Sequence, residues 1–205
     1  MTSSRTARGP VHDTALHADA DRPSRREQIL QAAAQLFAQR GSRSVGVDDV
    51  GAAVGVTGPA IYRHFASKDA MLAEMLLRIS ERLLDGGRAV VAAAGADPRA
   101  QLRALIAFQT DFALDNPALI TVQDRDLGSL AENDAARVRR LQRRYVEVWV
   151  TVLARMHPAA DAVACRARAH ALFGLINSTP HSAGRLPRAE MARLLAAMAV
   201  AAAEV

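Results

Sequence analysis

Residues 47–68 read VDDVGAAVGVTGPAIYRHFASK, and the fold follows from where this stretch has to break. Val47, Val50, Ala53 and Val54 recur at helical spacing, so the first part is a short helix with one apolar face. Gly55 stops it, because the residue just past a helix end often needs positive φ and glycine takes that conformation at little cost. Val56 follows as an apolar plug. Thr57 stands at a capping position, and Pro59 falls in the next first turn, where no intrahelical N–H is required. The second helix is about two turns long and carries Tyr62, Arg63 and His64. A third helix opens at Ser67, with Asp69 in its first turn. Helix, tight turn, helix is the layout of a helix-turn-helix, whose second helix enters the DNA major groove.

The segment upstream supports this layout. Ser24-Arg25-Arg26-Glu27 has the spacing of a capping box. The helix it opens runs to about Gln39, with Ile29, Leu30, Ala33, Leu36 and Phe37 on one face, and Gly41 ends it. Gly46 precedes the next helix and offers no side-chain oxygen for a cap or a phosphate. Asp48 and Asp49 suit that helix N-terminus but repel phosphate, so they should point away from DNA or be bridged by arginines.

Gly55-Val56-Thr57, Ile61-Tyr62-Arg63-His64-Phe65 and Ser67-Lys68-Asp69, preceded by Ala33, Leu36, Phe37 and Gly41, together resemble the DNA-binding signature of the TetR/AcrR family of bacterial transcriptional regulators. The match covers roughly residues 24–78, with spacing kept across three consecutive helices. The remaining two thirds resembles the family in length and helical character alone. The resemblance implies an all-α fold of about nine helices: an N-terminal three-helix helix-turn-helix domain and a C-terminal helical ligand-binding and dimerisation domain. On this reading residues 1–21 are a disordered tail, 22–68 the DNA-binding domain and 69–205 the ligand-binding and dimerisation domain.

Composition agrees. Half of the 205 residues are hydrophobic, enough for a packed core. The net charge of +5 favours an anionic partner, although charge concerns association rather than fold. Lys68 is the sole lysine, and Cys165 the sole cysteine, so neither an intrachain disulfide nor a cysteine-cluster metal site can form. Charged residues interrupt every apolar run before it reaches membrane-spanning length, and the N-terminus lacks the apolar core of a secretory signal. A cytoplasmic protein without a membrane partner is expected. Arg5, Arg8 and Arg22 in or beside the tail are candidates for a basic arm, beside Arg25 and Arg26.

Beyond Ser67 the pattern is helical throughout. Met71, Leu72, Met75, Leu76, Ile79 and Leu83 form the stripe of a long helix ending near Ala93, which Gly86-Gly87 should weaken or kink. Asp97-Pro98 restarts helix as far as Asn116, and Pro117 begins another to about Leu127. Asn133 is expected to cap a long helix ending at His157-Pro158. Asp161 caps the next, to about Thr179, and a last helix runs from about Arg188.

The DNA-contact candidates are Arg25, Arg26, Arg43, Ser44, Thr57, Gly58, Pro59, Ala60, Tyr62, Arg63, His64 and Lys68. The resemblance and the chemistry both put the Tyr62 hydroxyl on a backbone phosphate; the alternative is a tyrosine packed under its helix. Lys68 with the free amides at its helix start makes an anion site, unless it is a solvated surface lysine. Gly58, Pro59 and Ala60 can approach a thymine methyl. Arg63 can read guanine O6 and N7 or hold a phosphate. His64 is a contact or is bonded at the helix end.

The candidate pocket residues are Phe108, Gln109, Phe112, Ile120, Gln123, Trp149, Phe173 and Asn177, a mostly apolar set with amides among it. Gln123-Asp124-Arg125 and the stretch 177–182 resemble actinobacterial members tied to acyl-CoA or lipid metabolism. Family members of this kind pair through their last two long helices, here about 161–179 and 188–205, where Ala167, Ala171, Gly174, Leu194, Leu195 and Met198 permit close packing; the alternative for these residues is an ordinary buried core of one chain. The function implied is a homodimeric regulator, a repressor on near-palindromic double-stranded DNA, released by a small apolar effector that is acyl-CoA-like or lipid-derived. A non-specific nucleoid-type DNA binder and a small all-α enzyme are the alternatives. No phosphate loop, paired metal-ligand motif or nucleophile context stands in the sequence, so no cofactor, metal or catalytic residue is expected.

Overall fold

The computed structural model describes residues 23–182 and 184–205. The expected tail at 1–21 and its arginines Arg5, Arg8 and Arg22 lie outside the described residues. Those described form ten α-helical segments and no strand: α1 (Arg25–Arg40), α2 (Val47–Ala53), α3 (Gly58–Ile61), α4 (Lys68–Ala93), α5 (Pro98–Asp115), α6 (Pro117–Asp126), α7 (Glu132–Met156), α8 (Ala162–Ile176), α9 (Thr179–Ser182) and α10 (Arg188–Ala203). With the single turn α9 set aside, nine helices remain among the described residues, and the fold is all-α.

Local chemistry explains most of the boundaries. The Ser24 hydroxyl accepts from the Glu27 N–H at 3.3 Å, and the Glu27 carboxylate accepts from the Ser24 N–H at 2.8 Å, which completes the capping box of α1. Gly41 and Gly55 both take positive φ, +83° and +71°, where a side chain would be strained. Ser67 caps α4 by accepting from the Ala70 N–H at 3.0 Å. Asp97 accepts from the N–H groups of Arg99 and Ala100, and Asp161 from that of Ala164. Asn133 is no cap: α7 starts one residue earlier, at Glu132, so Asn133 falls inside the first turn.

Helix α4 is the spine. It packs against α1 near its start and against α5 and α7 over the rest of its length. Gly86-Gly87 does not break it. A Cβ on Gly86 would stand 2.3 Å from Phe108 Cζ, and one on Gly87 2.4 Å from Tyr145 Cε2. The glycines therefore serve close approach of two aromatic rings, and the helix runs through them because packing outweighs the propensity loss of roughly 1 kcal/mol each.

One core runs from Ile29 and Phe37 in α1, through Ile61, Phe65 and Met71, to Trp149, Leu172 and Ile176. Helix α6 lies against α1. The Arg125 guanidinium donates to the carbonyls of Phe37 and Ala38, and buried Asp126 accepts from the Ser42 hydroxyl at 2.9 Å. At the other end α10 packs on α5 and α8, with Met191, Leu195, Ala199 and Ala203 buried.

Candidate DNA interface and effector cavity

The DNA-reading face is built around a very short α3. Regular helix covers one turn, Gly58–Ile61, and Tyr62 to His64 continue as a hydrogen-bonded turn, so the two expected turns are one helical turn and a tail. Its position depends on two close approaches. A Cβ on Gly51 would lie 2.8 Å from the Val56 carbonyl oxygen, and one on Gly58 1.8 Å from Asp48 Oδ1. Gly58 is buried where α2 meets α3 rather than turned outward. The same packing turns Asp48 onto the start of α3. Asp49 accepts from the Gly46 N–H at 2.7 Å and lies 3.8 Å from Arg40. Both acids remain exposed.

What remains outward is Thr57, Pro59, Tyr62 and Arg63, with Arg43 and Ser44 ahead of α2. Tyr62 is 57 % exposed, which removes the reading in which it packs under the helix. Thr57 makes no side-chain capping bond, so its hydroxyl is available to a phosphate. Ala60 is half-buried. The Lys68 ammonium sits 3.4 Å from the Arg43 carbonyl, which draws the start of α4 and the loop before α2 into one basic corner. Arg25 donates to the Val54 carbonyl at 3.1 Å and stays exposed beside the turn.

Arg26 is a correction. Its guanidinium donates to both Glu74 carboxylate oxygens and to the His64 carbonyl, and lies 4.2 Å from the centre of the Phe65 ring. The group staples α1 to α4 and to the end of the α3 turn, with 38 % of the side chain still exposed. Its hydrogen bond to Glu74, with Arg78 adding to it, holds that carboxyl below the usual range. Arg26 therefore orients the reading head, and the His64 carbonyl is part of the same staple.

A cavity of about 340 Å³ opens among α4, α5, α6, α7 and α8. Leu83, Leu127, Val146 and Phe173 are its apolar walls. Ser80, Gln109, Gln123, Asp124, Gln142, Tyr145, His170 and Asn177 supply polar groups. Tyr145 donates to Gln109 Oε1 at 2.9 Å, and Gln109 Nε2 donates to Asn177 Oδ1 at 2.9 Å. Burial pushes the Asp124 carboxyl above its ordinary pKa, although the residue is open to the cavity mouth.

The expected pocket divides. Gln109, Gln123, Phe173 and Asn177 do line this cavity. Trp149 is fully buried behind it, 4.9 Å from the Phe173 ring centre, and Phe108 is spent on Gly86. Ile120 is core, and Phe112 lines a second hollow of about 740 Å³ between α1, α4, α5 and α6. Helical spacing marks all of these as inward-facing and cannot say which inward faces meet a void.

Residues 29–75 match the family model described as bacterial regulatory proteins, tetR family, and residues 95–203 match that of the tetracyclin repressor-like C-terminal domain. The chain belongs to the TetR family. Among curated relatives, the HTH-type transcriptional repressor KstR2 of Rhodococcus jostii is 33 % identical over 146 residues, 70 % of this chain and 68 % of that protein. The HTH-type transcriptional activator FasR of Mycolicibacterium smegmatis is 35 % identical over 91 residues, 44 % of this chain and 41 % of that one. The solved structure of KstR2 of Mycobacterium tuberculosis superposes with a TM-score of 0.75 at 22 % identity, covering 88 % of this chain and 95 % of that one, which establishes the likeness of fold.

As a TetR-family regulator the chain is a DNA-binding protein with a helix-turn-helix head, within residues 29–75. Three parts of the site escaped sequence reasoning. Gly51 carried no signal beyond a glycine in a short helix. The Ser42–Asp126 and Arg125–Phe37 bonds join positions more than eighty residues apart. Tyr145, Gln142 and His170 lie in helical runs where an interior polar face is indistinguishable from a solvated one. None of the described helices is long and apolar enough to cross a membrane.

Proposed function

We propose that this TetR-family member is a homodimeric, cytoplasmic repressor that leaves a near-palindromic operator when a small, largely apolar effector fills the α4–α8 cavity. Residues 22–68 read DNA, and residues 69–205 hold the effector and the dimer contact. The observation that carries this reading is the continuity of α6. Gln123 and Asp124 face the cavity, and the next two residues, Arg125 and Asp126, grip the end of α1 and the turn before α2. A ligand that displaces the first pair moves the anchorage of the reading head. By linkage, it lowers operator affinity by the same factor by which DNA lowers effector affinity.

On DNA, Tyr62, Thr57, Arg43, Ser44, Arg25 and Lys68 would hold phosphates, and Arg63 with Pro59 and Ala60 would face base edges. The dimer contact is assigned to α8 and α10, whose outward residues Val163, Leu194 and Met198 are 76 %, 46 % and 48 % exposed on the single chain. Such a surface favours burial against a second copy. Leu195 belongs to the chain's own core and drops out of that contact. Acyl-CoA or lipid-derived compounds fit as effectors if the acyl part enters the cavity and the phosphates stay outside, because no arginine or lysine among the described residues lines it. The name of the solved M. tuberculosis KstR2, a ketosteroid transcriptional regulator, belongs to that protein and directs the first compounds to try here. A nucleoid-type binder or an enzyme gains nothing from these features.

The test is a gel shift on the DNA upstream of the protein's own gene, at several salt concentrations and with unrelated competitor. A discrete complex that survives competitor and weakens with salt is expected. Arg63→Ala should relax preference at one base pair, costing about 1–3 kcal/mol on the cognate site, while Tyr62→Phe should weaken all sequences alike. Loss of the complex to competitor would instead indicate non-specific binding.

A further inference from the structure

A chain of hydrogen bonds runs from Tyr145 through Gln109 to Asn177 on the cavity wall. Burial pushes the Tyr145 phenol well above its ordinary pKa, so it stays protonated and donates to Gln109 Oε1 at 2.9 Å. With its oxygen engaged, Gln109, itself buried, offers its amide N–H to Asn177 Oδ1 at 2.9 Å. Turning the Gln109 amide over would leave the Tyr145 hydroxyl proton without an acceptor, and an unmet buried donor is costly. The relay ends on Asn177, a residue of the cavity lining whose Nδ2 has no partner among the described residues.

The rest of the lining narrows the charge of the occupant. Among the described residues no arginine or lysine borders the cavity, and Asp124 does, with His170 as the lone ionisable base there. An anion entering here would meet a carboxyl group and no permanent cation, so its desolvation would go uncompensated. Leu83, Leu127, Val146 and Phe173 offer apolar area to the remainder of the molecule.

We propose that the part of the effector this cavity holds is uncharged and is recognised through a carbonyl oxygen that accepts from Asn177 Nδ2, with Gln109 and Tyr145 as positioning residues. The proposal rests on the cavity being the effector site. A hydrocarbon of the same shape leaves the Asn177 N–H unmet, an alcohol satisfies it but brings a second proton to place, and a carboxylate faces Asp124.

Titration calorimetry on the full chain with α-tetralone, α-tetralol, tetralin and tetralin-carboxylate tests this, with emission of Trp149, the chain's single tryptophan, reporting occupancy. The ketone should bind about tenfold tighter than the hydrocarbon, the worth of one well-made hydrogen bond. The carboxylate should bind weakest. Asn177→Asp keeps the acceptor for Gln109 and removes the donor, so the ketone preference should vanish and the alcohol should lead. Tyr145→Phe should reduce the preference without abolishing binding. Asn177→Leu, checked by thermal melt because Asn177 ends α8, should bind ketone and hydrocarbon alike. Equal binding of ketone and hydrocarbon to the parent chain, a ketone preference that survives Asn177→Asp, the carboxylate binding tightest, or no binding by any of the four would each overturn the proposal. The operator gel shift separates the two readings. An Asn177-dependent ketone preference with no release of DNA keeps the proposal and overturns the effector role, whereas release by compounds indifferent to Asn177 does the reverse.

Discussion

At Gly87 the spine helix gives up helix propensity for contact with the Tyr145 ring. Tyr145 is held by Gln109 and packed on Trp149 and Phe173, so it cannot retreat from an added methyl. Phe108 opposite Gly86 is only partly buried and can move outward. Gly87→Ala should therefore destabilise by about 1–2 kcal/mol, the overpacking cost less the propensity gained, and Gly86→Ala by clearly less, as read from denaturant midpoints. The Arg26–Glu74 staple makes a pH prediction. Glu74 has a lowered pKa in the folded chain, so its contribution is complete above the ordinary carboxylate value and is lost as pH falls through the lowered one. Glu74→Gln should cost about 1 kcal/mol at neutral pH, discounted for the solvent reaching both groups. The gap to the parent should narrow as pH falls below the ordinary carboxylate value. A constant gap across pH would remove the ion pair from the account.

Among the elements, the capped helices were the legible ones. Ser24, Ser67, Asp97 and Asp161 each bond the amides their positions imply, because a cap is decided within four residues. Helix α3 was less legible: its single regular turn is set by Asp48 and Gly58 meeting across the motif, which no local pattern records. Helix α10 has two faces of similar composition, one with Leu195 and Ala199 inward and one with Leu194 and Met198 outward. Sequence alone left Leu195 open between the dimer contact and the chain's own core. Leu194→Glu with Met198→Glu should give a folded monomer in sedimentation, since both positions are outward on the single chain. A dimer that persists would move the contact off α10. Deleting α10 is the poorer experiment, because it strips Met191, Leu195, Ala199 and Ala203 from the chain's own core.

For the whole molecule the question is how a cavity among α4–α8 reaches a head at α1–α3. The shared spine α4 and the α6 grip are the physical links. Arg125→Ala removes the guanidinium from the Phe37 and Ala38 carbonyls while leaving the cavity lining intact. It should bind effector about as the parent does, yet release operator less completely, by a factor of about 5 or more if this contact carries a usual coupling energy. Measuring effector affinity with and without operator DNA checks it, since the two factors must agree. Unchanged coupling would shift the link to α4.

The sequence by itself determined the all-α class, the helix-turn-helix, the family resemblance and most helix ends, because each depends on residues within a turn or two of one another. It also marked the amides Gln109, Gln123 and Asn177 as unusual in apolar company. Only the tertiary structure decided that Arg26 is a staple, that Gly58 and Gly87 are close approaches, that Phe112 and Trp149 miss the cavity, and that Tyr145 and His170 reach it. Those outcomes depend on which of several equivalent inward faces meet across the bundle. Periodicity specifies that a face is buried; packing alone specifies against what.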